Sequence, residues 1–509
     1  MMSRITNQTS PLPPSPAEAR VLGIRGAMDA LAIASAVALA WQAARPQSFD
    51  MLGLRIDRVT ALFGLLVAGI GAATLRYSLR ALAGDPARER FAVLMAIATG
   101  AAWLSATADL MPLLVGAWIV QAIALHGLLT IRHDRPQALL PARTAFAIGR
   151  VGDLLLVTAF ALAWRDWGSM RVSGFLEAAA GSGDASALAP VAVLLALGAA
   201  AKSAQVPMHA WLPETMEAPT PVSALMHAGM VNAGGVLMVR FAPVVAEVPL
   251  ACLLMVLAGT VTIAIGMPSM WAQVKVKREL AWSTIAQMGF MMVQCGLAAF
   301  PAAALHVVGH GCYKAWSFLR AGDVPARAPA PAPFARSVAM LSLGTVLAAP
   351  AIAGCAGWLG MDLLHAPGEC ALAAVLALSV GQAWAALLGR AADSRSTMRA
   401  GLAAVAVLAV AAVFGPLAWV GMSAFLAPVI GTPTLAAGAL GWTIAAIPVM
   451  VMAALAMMHA ALPVLDRRPW GFALHVHALN GFYLGTASER LVDAAWPTSL
   501  RPARTTTHA

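Results

Sequence analysis

Apolar runs of membrane-spanning length recur through this chain, near 27–43, 59–75, 91–107, 111–131, 144–164, 187–205, 223–245, 249–270, 280–298, 302–320, 336–355, 371–389, 400–420 and 440–460. A run of about 17 to 25 such residues crosses bilayer hydrocarbon as a helix, and in that solvent each backbone polar group must be bonded within its own segment. The pattern therefore predicts an all-α polytopic membrane protein of roughly fourteen transmembrane helices. Composition agrees, since 60% of residues are hydrophobic and 11% are charged, against about 25% charged in soluble domains.

The net charge of +10 excludes little until its distribution is read. Arginines and lysines collect in alternate loops: Arg76 to Arg90, Arg132 to Arg143, Lys275 to Arg278, Arg320 to Arg336, Arg390 to Arg399, and Arg467 with Arg468. The intervening loops are neutral or acidic, as at Asp109, Asp184, and Asp362 with Glu369. This positive-inside asymmetry predicts that both termini lie in the cytoplasm; it identifies lipid as a partner and argues against nucleic acid. Three regions follow: a cytoplasmic tail over 1–26, a transmembrane domain over 27–460 and a cytoplasmic amphipathic segment over 461–509. The last could dock a partner or lie on its own bundle, and both readings stand. Residues 321–335 read as an extended Pro/Ala-rich connection. The five cysteines are scattered singly and predict neither disulfides nor an iron–sulfur cluster.

Ionisable residues inside apolar segments are expensive and so point to function. The stretch Lys202 to Arg240 holds a lysine, a histidine and an arginine, and is interrupted by Pro207, Pro213, Pro219 and Pro221. The prolines predict a broken element, with P-T-P-V-S restarting a helix. Lys202 follows a long uncharged run, and Glu214, Glu217, His227 and Asp153 are its available partners; snorkelling to the cytoplasmic interface is the alternative. Arg150 and Asp153 stand at i and i+3 and predict an ion pair, either structural or part of a relay. His306, His310 and Lys314, at i, i+4 and i+8, lie along one helix face over about 12 Å, a spacing suited to proton hopping through bridging water. Arg240, near a helix end, reads as an interface anchor. No catalytic triad, phosphate loop, dinucleotide fingerprint or metal-ligand spacing is present, so the chain reads as an ion conductor or energy transducer without cofactor or enzymatic site of its own.

The stretches KSAQVPMHAWLPETMEAPTPVSALMHAG, VKRELAWSTIAQMGFM and HVVGHGCYKAWSFL together resemble the proton-conducting antiporter-like family, which includes the large membrane-arm subunits of respiratory complex I and the Mrp-type cation/proton antiporters. The resemblance implies that Lys202 is the central buried lysine, His227 the histidine of the P-T-P-V-S-A-L-x-H-A motif, and His306, His310 and Lys314 a relay. Asp153 falls in its R-V-G-D motif, and Glu214, Glu217 and Asp362 complete the candidate ion pathway. MHAWLPETMEAPTPVSALMHAGMVNAGG, YKAWSFLRAG and HVHALNGFYLG are more similar to the branch serving DAB inorganic-carbon accumulation complexes. That branch implies a cytoplasmic zinc-containing partner of the DabA type, which hydrates CO2 while protons or sodium ions pass through the membrane subunit. Two positions depart from the respiratory pattern: Val120 or Gln121 stands where an intramembrane glutamate is expected, and Met361 replaces a lysine beside Asp362. A proton-translocating subunit of a respiratory or antiporter assembly, and a membrane anchor that has lost conduction, are the competing readings.

Overall fold

The computed structural model describes residues 15–132, 136–182, 184–322, 332–389 and 394–496. Helix α1 (Pro16–Ala44) leads into an antiparallel hairpin of β1 (Phe49–Met51) and β2 (Leu54–Ile56), then α2 (Arg58–Ala81), α3 (Arg88–Thr107), α4 (Met111–Leu129) and α5 (Leu139–Trp167). There follow α6 (Val172–Ser182), α7 (Ala185–Lys202), α8 (Trp211–Glu214), α9 (Thr220–Ala228), α10 (Ala233–Arg240) and α11 (Ala242–Val245). The remainder comprises α12 (Pro249–Trp271), α13 (Val276–Gly296), α14 (Phe300–Leu319), α15 (Phe334–Trp358), α16 (Pro367–Leu388), α17 (Ser394–Ile430), α18 (Ala439–Leu465), α19 (Pro469–Leu479) and α20 (Gly485–Ala495).

The apolar runs read from the sequence coincide with the long helices. Twelve described segments are long and apolar enough to cross a membrane, with α9 and α10 counted as one. Helices α13 and α14, of 21 and 20 residues, bring the bundle to roughly fourteen. Their hydropathy is diluted by Gln287 and Gln294 in the first, and by His306, His310 and Lys314 in the second. Short connections make successive long helices antiparallel neighbours, so the arginine-rich loops share one face and the hairpin lies on the other.

The expected tail over 1–26 ends earlier than the apolar pattern suggested. Helix α1 starts at Pro16, where proline's fixed φ suits a first turn and Ser15 Oγ accepts from Glu18 N at 3.2 Å. Its first turns are polar and hold Arg20, which pairs with Glu89 at 2.9 Å; counting apolar residues missed them. At the other boundary, α18 continues to Leu465. The C-terminal segment packs on its own bundle, with α20 against α5 and α19 against α12. Arg143 Nη1 donates to Trp496 O at 3.0 Å and its guanidinium lies 4.9 Å from that indole ring. Residues 1–14, most of the 321–335 connection and 497–509 lie outside the described residues.

On the face opposite the arginine-rich loops, Asp109 fastens three connections. Its carboxylate accepts from Ser173 N and Oγ, each at 2.9 Å, and pairs with Arg171 Nε at 2.8 Å, while its own N–H donates to Gly53 O at 2.8 Å. Arg240 joins this network instead of anchoring at an interface. It is buried, and donates from Nη2 to Ala108 O at 2.7 Å, a carbonyl left free where α3 ends.

Helices α12 and α13 touch backbone to backbone. A Cβ on Gly259 would stand 2.4 Å from Gly289 O, and one on Gly289 would stand 2.7 Å from Gly259 O. Small residues of this kind allow the close approach that drives helix association in lipid. Replacing Gly289 with valine is expected to force the pair apart, lowering the melting temperature of the purified protein and the monodisperse fraction in size-exclusion chromatography. A Gly401→Val control, with open space at its Cβ, should leave both unchanged.

A second expectation concerns α20. Partial burial, reinforced by Glu214 and opposed by Arg278, raises the Glu489 carboxyl above the ordinary glutamate range. An acid whose folded pKa is raised favours the folded contact when protonated, and that contribution is lost as pH rises through the folded value. Amide protection in 485–495, corrected for intrinsic exchange, should therefore rise on acidification, and Glu489→Gln should remove the pH dependence.

Candidate functional site

Lys202 is the last residue of α7. Ala204 adopts the left-handed conformation at φ 49°, which stops the helix inside the bundle, and Gln205 N closes the end on Ala200 O at 3.1 Å. The lysine stem runs across α5 over Gly152, where a Cβ would stand 3.1 Å from Lys202 Cε. Its ammonium meets Asp153 Oδ1 at 2.5 Å, and Arg150 Nη2 meets Oδ2 of the same carboxylate at 2.7 Å. Of the partners the sequence left open, Asp153 is therefore the one engaged. Lys202 and Asp153 side chains are 10% and 9% exposed, so this pair is held inside the protein and does not snorkel. Two cations share one carboxylate, and aromatic faces offset the excess charge: Trp118 lies 5.4 Å from Lys202 Nζ and Phe146 lies 4.5 Å from the Arg150 guanidinium.

A cavity of about 60 Å³ adjoins Lys202, lined by Gln121, His126, Trp211 and Met230. Val120 points out of the bundle at 43% exposure, whereas Gln121 is 4% exposed and faces Lys202's cavity.

The second cluster lies on α14. His306 and His310 have ring centroids 5.9 Å apart, and Lys314 is fully buried with Nζ donating to Leu280 O at 2.9 Å. His310 Nδ1 stands 3.2 Å from Asn232 Oδ1, and His306 Nδ1 stands 2.8 Å from Gln294 Oε1. Asn232 Nδ2 donates to Ala228 O at 2.6 Å, which orients the amide so that its oxygen meets the imidazole. An amide oxygen only accepts, so His310 carries hydrogen on Nδ1 and bears its lone pair on Nε2. His227 is buried beside them, stacked on Phe318 with centroids 4.4 Å apart.

The helix break lies between the two clusters. Helix α9 restarts at Thr220 without a side-chain cap and gives way at Gly229 to a tight turn over Met230–Asn232 before α10. Met230 lines the Lys202 cavity, Val231 O accepts from Ser203 Oγ at 2.9 Å, and Asn232 holds His310. Irregular backbone at membrane depth is thus enclosed by protein and bonded to both clusters.

Other candidates lie apart from these groups. Glu214 pairs with Arg278 at 2.6 Å near the arginine-rich face, and Glu217 is exposed in the turn that follows. Asp362 is 63% exposed in the loop before α16, with Oδ2 2.9 Å from His365 Nδ1. Glu369, grouped by sequence with the loop charges, stands in the first turn of α16 and lines a cavity of about 560 Å³ that reaches His306 and His310. Met361 lines the same cavity. Sequence reasoning passed over Asn232, Gln294 and Glu369. A carboxylate opening the apolar run GECALAAVLAL was a usable signal for Glu369, but two amides among many were not.

Comparison with known proteins adds context. The model of the NADH:quinone oxidoreductase/Mrp antiporter transmembrane family matches residues 108–364. The chain is 34% identical over 451 residues, 88% of its own length and 81% of the relative's, to a probable inorganic carbon transporter subunit DabB2 of Halothiobacillus neapolitanus. It is 39% identical over 277 residues to DabB1 of the same organism; that match takes in 53% of this chain and spans about half of the relative, 49%. Among solved structures, the Mrp complex from Dietzia sp. DQ12-45-1b aligns over 94% of this chain and 55% of its own, with a TM-score of 0.52 and 24% identity, a likeness of fold.

Removing one member of a buried ion pair leaves the other uncompensated, at a cost of about 3 to 5 kcal/mol. Asp153→Leu is expected to lower the stability of the purified protein by that order, read from thermal melts. Adding Lys202→Met should recover at least half of the loss, since the stranded ammonium is then gone.

Proposed function

This chain belongs to the NADH:quinone oxidoreductase/Mrp antiporter transmembrane family, and from that membership we propose that it is the ion-conducting subunit of a membrane complex that accumulates inorganic carbon. The observation that carries the conduction reading is the line of half-buried His306 with buried His310 and Lys314 on one face of α14, bonded through Asn232 to the helix break beside Lys202. Each imidazole has its Nδ1 next to an amide oxygen, so protons enter and leave through Nε2. Asp153 holds the Lys202 ammonium and gives a proton leaving that site an acceptor within reach. The groups alternate between neutral and charged forms, which is what a proton conductor requires of side chains at membrane depth.

The inorganic-carbon assignment rests on the similarity to the two DabB relatives and on the resemblance of MHAWLPETMEAPTPVSALMHAGMVNAGG, YKAWSFLRAG and HVHALNGFYLG to that branch. In this reading protons, or sodium ions in their place, move through the bundle. A DabA-type zinc protein on the cytoplasmic face, beside the arginine-rich loops, hydrates CO2 to bicarbonate. The chain transports and couples, and the enzymatic step belongs to that partner. Both termini lie in the cytoplasm of a bacterial cell. The matched family model supports a second reading, a proton-translocating subunit of a respiratory complex I-like or cation/proton antiporter assembly.

Isolation from native membranes in mild detergent separates the two. Recovery with one large zinc-containing soluble protein is expected; recovery with several other polytopic subunits or with flavin and iron–sulfur proteins favours the second. Replacing Lys202, His310 or Lys314 with alanine is expected to abolish growth at ambient CO2 while growth at elevated CO2 and assembly persist. Undiminished growth of all three variants would remove the relay.

A further inference from the structure

The line on α14 needs a route to the face opposite the arginine-rich loops, and neither Asp362 nor Met361 supplies an ionisable group for it. Asp362 is turned outward to His365, and a thioether does not titrate. The cavities supply another answer. The large one, of about 560 Å³, extends from His306 and His310 to Glu369, and its polar lining includes Ser283, Gln287 and Ser379. A smaller one, of about 120 Å³, lies beyond it among Ser423 of α17 and Thr432 and Thr434 in the α17–α18 connection. Glu369 and Trp419 line both, so together they form the partition.

The fold holds Glu369 in that position by a close approach. A Cβ on the preceding residue, Gly368, would stand 2.2 Å from Leu297 O, so only glycine lets the first turn of α16 press onto the corner between α13 and α14. That corner lies between Gln294 and His306, and the side chain following Gly368 reaches both cavities. Glu369 is half-buried in the first turn of its helix, where the macrodipole favours a carboxylate. The titratable groups nearest it are His306 and His310, which line the same larger cavity, and Asp362, which is bonded to His365 and turned outward. At roughly 30 Å³ per water molecule, both cavities have room for more than one.

We propose that Glu369 is the carboxylate through which the His306–His310–Lys314 line exchanges protons with the face opposite the arginine-rich loops, at the partition between two cavities. The proposal rests on the reading of the chain as a proton conductor. The carboxylate accepts a proton that enters the smaller cavity from that face as hydronium, leaving water behind, and becomes a neutral acid. It then releases that proton to water in the larger cavity, from which Nε2 of His306 accepts it; carboxylate is regenerated and imidazole becomes imidazolium, with net charge conserved.

The test is proton flux into liposomes that hold the purified native complex and a trapped pH-sensitive dye, driven by an imposed potential. Wild type, Lys202→Ala, Glu369→Gln and Glu369→Asp are compared. Glu369→Gln is expected to lower flux at least tenfold, and Glu369→Asp, which keeps the acid, to retain at least a third. In the wild type, dicyclohexylcarbodiimide should form an adduct on Glu369, detected by peptide mass spectrometry, and flux should fall as it accumulates. Flux through Glu369→Gln within twofold of wild type, with Lys202→Ala inactive, overturns the Glu369 assignment alone. Wild-type flux equal to that of Lys202→Ala overturns the conduction reading and this proposal with it. If Glu369→Gln fails to assemble, the wild-type labelling decides, and no adduct on Glu369 with undiminished flux overturns the proposal.

Discussion

Ionised groups inside an apolar bundle need a counter-charge, a bonded carbonyl or an aromatic face, and this requirement shapes the centre of the protein. Lys202, Arg150 and Asp153 meet it as a group: one carboxylate is shared by two cations, and two aromatic rings lie against the cationic heads. Lys314 meets it differently, with a backbone carbonyl at 2.9 Å. A lysine ammonium with a carbonyl partner is held more loosely than one facing a carboxylate.

The broken helix is the mechanical counterpart of those charges. A continuous helix over 220–240 would bond every carbonyl to its own backbone. The turn at Met230–Asn232 instead frees Ala228 and Val231 carbonyls, which Asn232 and Ser203 occupy. The same few residues border the lysine cavity and orient His310, so a shift of this turn would be felt at both clusters. Close packing supports the arrangement, because a Cβ at Gly234 would fall 2.4 Å from Ala199 O and one at Gly311 would fall 2.8 Å from Ala228 O. Helix α10 thus lies close against the backbone of α7, and α14 against that of α9.

Much of this was legible in the chain itself. Spans were readable because hydrocarbon imposes a length and a composition on any helix that crosses it, and the row His306, His310, Lys314 because helical periodicity fixes which side chains share a face. The Arg150–Asp153 pair followed from the same periodicity. Boundaries were less legible: α1 begins at Pro16, in a polar stretch that hydropathy does not register. Arg240 was misread because its partner carbonyls, in the α3–α4 connection, are more than a hundred residues away in sequence.

The sequence by itself determined the class of the fold, the number of long helices, the element broken by proline, and the ionisable residues placed at membrane depth. All of these depend on local composition and on a fixed helical rise. Tertiary structure alone decided that Asp153, and not Glu214 or Glu217, faces Lys202, that Gln121 turns inward where Val120 turns out, and that Asn232 and Gln294 orient the histidines. It also set Glu369 between two cavities while Asp362 points away. Each of these depends on which helices meet and at what rotation, and that follows from packing between segments far apart along the chain.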